Sequence, residues 1–147
     1  MTFDPSKVPD ILFGTWKQLS GTYVDLATGE ERPGLSKAPK GYIHFGRDGR
    51  MFNVTVDSAR QKPAGLRPTA AEAEALFRSL IAYTGTFVVD GDHVYFDLDV
   101  SWNESWTGTR QVRTFELAGE RLIISAQIIN PMTGQPARHR LVFEKMS

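Results

Sequence analysis

Between Ala82 and Leu117 apolar and polar residues alternate at a period of two through three successive segments, the pattern of antiparallel strands with one buried face. The first two segments meet at Val89-Asp90-Gly91-Asp92, where Asp-Gly supplies the positive φ angles of a tight hairpin. Folding back at Gly91 sets Val89 beside Val94. Steps of two then place Tyr83, Gly85, Phe87 and Val89 on one face with Val94, Phe96, Leu98, Val100 and Trp102. The third segment shares this face through Phe115 and Leu117, and the same parity carries Gln111 and Arg113 inward. A sealed core does not readily take such groups, so an apolar interior holding them reads as a pocket.

Alternation places further strands on either side. Phe13 to Asp25 is a first strand with Trp16, Gln18 and Ser20 on one face and Lys17, Leu19 and Tyr23 on the other. After a turn at Ala27-Thr28-Gly29-Glu30, the Pro-, Gly- and Lys-rich stretch Glu31 to Lys40 reads as a loop over an open rim. Gly41 to Phe45 and Arg50 to Val56 form a hairpin at Asp48-Gly49, with Ile43, Phe45, Met51, Asn53 and Thr55 facing inward. Thr69-Ala70-Ala71-Glu72 is a capping box, in which hydroxyl and carboxylate satisfy free amides of a first helical turn. The helix it opens runs to about Ile81. Its stripe of Leu76, Phe77, Leu80 and Ile81 requires an apolar surface, and a mouth of the fold is the candidate. Arg121 to Ile129 and His139 to Lys145 supply the last two strands, joined by a loop from Asn130 to Pro136. The arm from Met1 to Asp10, with a turn near Pro9, reads as a plug for one end. Eight strands in simple succession close most cheaply into an all-β, antiparallel up-and-down barrel, with one helix between the third and fourth strands.

Composition narrows the function classes. The 147 residues predict one domain, 1–147, able to bury a core without disulfides or metal. Lys+Arg and Asp+Glu stand equal at 17 each, so no overall field points to nucleic acid or to an anionic membrane. Without cysteine there is no thiolate nucleophile, and three scattered histidines argue against a zinc site, so no metal and no cofactor are expected. No long apolar run follows a basic start, so a cytoplasmic location is the default expectation. Homodimerisation stays open.

Several segments together resemble the lipocalin-like domain family, a bacterial and fungal branch of the calycin barrels. They are Gly14-Thr15-Trp16, Pro39-Lys40-Gly41-Tyr42, Asp48-Gly49-Arg50-Met51, Ala82-Tyr83 with Gly85, Val89-Asp90-Gly91-Asp92, Trp106 with Gly108, Gln111-Val112-Arg113 with Phe115, and Leu141-Val142-Phe143. The resemblance implies a barrel with a small, mainly hydrophobic cavity, and no single activity, because such barrels include carriers and enzymes. Phe96 and Asp99 stand where the family often shows His and Glu, which removes any role of that His. Phe143 and Lys145 replace the usual Trp and Arg, so a lysine is expected to close over Trp16.

No motif fixes a reaction. Arg113 either braces the barrel against an interior carboxylate or binds the polar end of a ligand with Gln111, Asn53 and Tyr83. Phe87, Phe96, Trp102 and Phe115 complete the expected ligand-binding set. Asp97 and Asp99 alternate on one strand beside His93 and Tyr95, a combination typical of a solvated outer face. His44 carries outward parity, and His139 shares parity with Leu141 and Phe143, near a barrel end. The leading expectation is a barrel binding a small hydrophobic or aromatic molecule with a polar end. The alternative is a cofactor-independent isomerase, cyclase, lyase or hydratase acting in the same cavity.

Overall fold

A computed structural model describes residues 1–130 and 133–146. In chain order it holds β1 (Gly14–Asp25), β2 (Glu31–Pro33), β3 (Pro39–Phe45), β4 (Arg50–Asp57), α1 (Ala70–Arg78), β5 (Leu80–Asp90), β6 (His93–Ser101), β7 (Arg110–Ala118), β8 (Arg121–Ile129) and β9 (Pro136–Lys145). With β2 set aside, neighbours follow chain order, and antiparallel pairing of β1 with β9 closes an eight-stranded barrel. The helix therefore follows β4, one strand later than the alternation predicts. The added strand is β2, three exposed residues paired with Thr22, Tyr23 and Val24, too short to show a period of its own.

The capping box forms as the sequence predicts, with Thr69 and Glu72 satisfying each other's backbone amides. The helix stops at Arg78, however, and Leu80 and Ile81 open β5. No helix residue is buried. The expected stripe is thus divided: Ile81 lines the barrel interior from a strand, while Phe77 meets the Trp102 ring with centroids 6.1 Å apart.

One end of the barrel is sealed. Trp16, Phe45, Phe87 and Phe143 are fully or almost fully buried there, and the amino-terminal arm adds Val8, Leu12 and Phe13 to the same cluster. Two 3-10 turns, Pro5–Lys7 and Asp10–Leu12, bring the arm across, so that the Trp16 indole donates to Leu12 O at 2.9 Å. Phe3 and Phe45 pack edge-on against Phe87 at 5.4 and 5.2 Å.

Two bulges overturn strict alternation. In β1 the pairing passes from Gln18–Phe143 to Ser20–Val142, leaving Leu19 as an extra residue and turning Gly21 and Tyr23 inward. In β6 it passes from Gly85–Leu98 to Thr84–Val100, so Asp99 is extra and Val100 lies outside, 62% exposed, where alternation alone places it inside. The loop expected from Asn130 to Pro136 contains Pro131 and Met132, which lie outside the described residues.

Candidate functional site

The end opposite the arm encloses a cavity of about 780 Å³, within the ~300–1,000 Å³ typical of small-molecule pockets. Its lower wall is apolar, with Ile43, Phe96, Ile124, Leu141 and Phe143; its rim takes Leu35 and Ser36 from the loop after β2, and Arg78 and Ile81 from the helix and β5. Five aligned strands supply the polar groups: Gln18 and Tyr23 from β1, Asn53 and Thr55 from β4, Tyr83 from β5, Gln111 and Arg113 from β7, and His139 from β9.

These groups divide into a satisfied set and an unsatisfied one. Thr55 donates its hydroxyl to Gln18 Oε1 at 2.7 Å, and both are buried. Asn53 sits directly across from Tyr83 in the ladder, and Asn53 Oδ1 is buried without a partner. Burial raises the Tyr83 and Tyr23 phenols above their ordinary range, opposed by the nearby Arg113 charge, so both remain protonated at neutral pH and can donate.

Arg113 lines the cavity from β7, and desolvation lowers its pKa, opposed by the two tyrosines. Its Nη1 donates to Val112 O at 2.9 Å. Among the described residues no carboxylate lies within ion-pair distance of it, and none lines the cavity. His139 faces the same space, stacked on Tyr23, with its pKa pushed down to about 4 by burial and secondarily by Arg113. The cavity therefore presents a cation, a neutral imidazole, two phenols and an unfilled amide oxygen in an apolar frame.

The remaining expected site residues lie elsewhere. Phe87 fills the sealed end, Phe115 packs against the core, and Trp102 stands outside the cavity lining between Phe77 and Trp106. Trp106, which does line the cavity, lies 5.7 Å from the Tyr83 ring. The Trp102 shift follows from the bulge at Asp99, after which its backbone N–H reaches Ala82 O. Trp102 Nε1 is left buried without a partner. Asp97 and Asp99 lie on the outer face, as their alternation predicts, each held by its own arginine, Arg110 at 2.7 and 2.9 Å and Arg50 at 3.1 and 2.8 Å. His44 shares a 2.8 Å hydrogen bond with Thr15 and does not line the cavity.

A family model described as a lipocalin-like domain matches residues 13–146. The chain belongs to that family. Its barrel also resembles a lipocalin-like protein from Bacteroides uniformis ATCC 8492, with a TM-score of 0.52 and 14% identity over 92% of this chain and 99% of the other. An uncharacterized protein from Bacteroides eggerthii DSM 20697 matches over the same shares at a TM-score of 0.48 and 14% identity. No curated protein matches. At 14% identity the likeness of this lipocalin-like domain to the Bacteroides uniformis protein concerns the fold alone. Among the described residues no three His, Cys, Asp or Glu gather as a metal site, and no helix is long and apolar enough to cross a membrane.

Proposed function

We propose that this lipocalin-like domain binds a small apolar or aromatic molecule with one acidic end, held in the barrel cavity. The observation that carries the reading is Arg113, a partly desolvated cation with no carboxylate partner among the described residues, set in a cavity whose lower wall is apolar. Withdrawing a cation from water without an ion pair is costly, and a ligand carboxylate, sulfonate or phenolate relieves that cost. Tyr83 and Gln111 supply neutral donors beside it, and Asn53 Oδ1 awaits a hydroxyl or N–H. The apolar wall contributes most of the affinity and Arg113 the orientation.

Catalysis is the second reading, with His139 in its favour: a neutral imidazole near a cation can take a proton from carbon while Arg113 steadies the resulting enolate. A base with a pKa of about 4 is poorly matched to neutral operation, so binding ranks first. Native mass spectrometry of freshly purified protein tests both. An organic acid retained at one per chain, and lost in Arg113→Met, supports binding; a retained acid that turns over to an isomeric or cleaved product on incubation supports catalysis. A protein that retains nothing and takes up no aromatic probe refutes the cavity reading altogether.

A further inference from the structure

The barrel wall is forked beside Arg113. The β7–β8 hairpin pairs from Ala118–Arg121 to Thr114–Ser125, where the Thr114 and Ser125 hydroxyls meet at 2.9 Å, and the ladder stops. Beyond it, Arg110 to Arg113 pair only with β6, and Ala126 to Ile129 only with β9. Four residues on each side are thus without their cross-strand partners, opening a cleft roughly 10 Å long at ~3.3 Å per residue. Phe115 N–H donates to Asp92 O, so odd-numbered residues of β7 turn their backbone groups to β6 and even-numbered ones to the cleft. The Val112 carbonyl, which a β8 amide would otherwise meet, is taken by Arg113 Nη1. By the same alternation the Gln127 backbone faces the cleft from β8.

Arg113 lines the cavity on the inside and also a groove of about 320 Å³ on the outside of the cleft, with Thr114, Ser125, Gln127 and Arg138. Ile128 and Ile129, at the end of β8 beside the unpaired stretch, both border the cavity. An apolar interior thus communicates with a polar, cationic groove through one shared guanidinium.

Resting on the cavity reading, we propose that the ligand is an elongated anionic amphiphile whose apolar body lies in the barrel and whose acid group lies in the β7–β8 cleft, between Arg113 and Arg138, and not at the helix-bordered mouth. An acid in the cleft keeps part of its hydration while gaining two cations and the free strand-edge amides.

The test compares 8-anilinonaphthalene-1-sulfonate with its uncharged parent N-phenyl-1-naphthylamine, by fluorescence titration of the full chain. Arg138→Glu, an exposed side chain outside the cavity lining, is expected to weaken the sulfonate about tenfold and the parent less than about twofold, one charge contact being worth roughly a tenfold change. Lys37→Glu, on the rim loop at the mouth, is expected to leave both unchanged. A loss of sulfonate binding in Lys37→Glu, equal losses in both variants, or no loss in Arg138→Glu overturns the cleft assignment while leaving the cavity reading intact. Failure of both dyes to bind the unaltered chain overturns the two together.

Discussion

The imidazole of His139 stacks on the phenol ring of Tyr23, with centroids 4.7 Å apart and planes 21° from parallel. The groups facing it are Tyr23 from β1 and Arg113 from β7, with no carboxylate among the described residues of the cavity lining to welcome a proton. Above about pH 6.5 His139 is neutral in folded and unfolded chains alike. Below that, the unfolded chain takes a proton that the folded one refuses until about pH 4. Stability is therefore lost as pH falls through this window, by on the order of 2–3 kcal/mol. His139→Phe keeps the stack and removes the titration, so its urea midpoint should fall less between pH 6.5 and 4.5 than that of the unaltered chain. A His139 imidazole resonance titrating near pH 6.5 in the folded protein would refute this.

Arg113→Met separates brace from site. The brace reading requires a carboxylate that the variant would strand, and the cavity lining holds none among the described residues. Stability should hold or rise slightly, because a partly desolvated cation is removed and methionine retains the bulk. Affinity for 8-anilinonaphthalene-1-sulfonate should drop by about 1.5–3 kcal/mol, the range for a hydrogen bond to a charged group. Equal urea midpoints with intact dye affinity would show that Arg113 does not recognise the acid.

At the sealed end, Lys145 Nζ stands 4.9 Å above the Trp16 ring and donates to Ile11 O at 2.8 Å and to Phe13 O. One ammonium thus holds the arm to the barrel, as its place opposite Trp16 predicts. Lys145→Met should cost about 1–3 kcal/mol, since two carbonyls lose their donor and the ring its cation. Hydrogen exchange should rise in residues 3–13 first; uniform exchange across the chain would mean that Lys145 does not fasten the arm.

Gly85 sits where β5 crosses the β6 bulge, and a Cβ built there would lie 1.9 Å from Asp97 O and 2.9 Å from Leu98 Cα. Both obstacles belong to the backbone, so no rotamer change relieves them. Gly85→Ala should destabilise the barrel by about 2–4 kcal/mol and weaken dye binding, because Tyr83 and the Trp102 turn share that bulge. A thermal midpoint within a degree of the unaltered chain would contradict the packing.

Much of the barrel was legible before any coordinates. Asp-Gly pairs mark hairpins because few residues adopt positive φ at low cost, and the capping box announces a helix because its partners lie three residues apart. Inward parity for Asn53, Thr55, Gln111 and Arg113 survives in the cavity lining, each lying in a stretch of strand without a bulge. Tyr23 and Val100 lie on the face opposite to the one alternation predicts for one reason: a bulge adds one residue, and with a period of two a single residue exchanges the faces.

Neighbours within a few residues set which segments extend, where they turn, and which face each presents over an unbroken run. Tertiary structure alone decided what depends on partners far along the chain. Closure of β9 onto β1 stacks His139 on Tyr23, 116 positions apart in sequence. The divergence of β7 from β8 leaves Arg113 between cavity and groove, although both strands read as ordinary alternation. Side-chain period is a local property of an extended backbone, whereas register, bulges and clefts arise when eight twisted strands must close one ring.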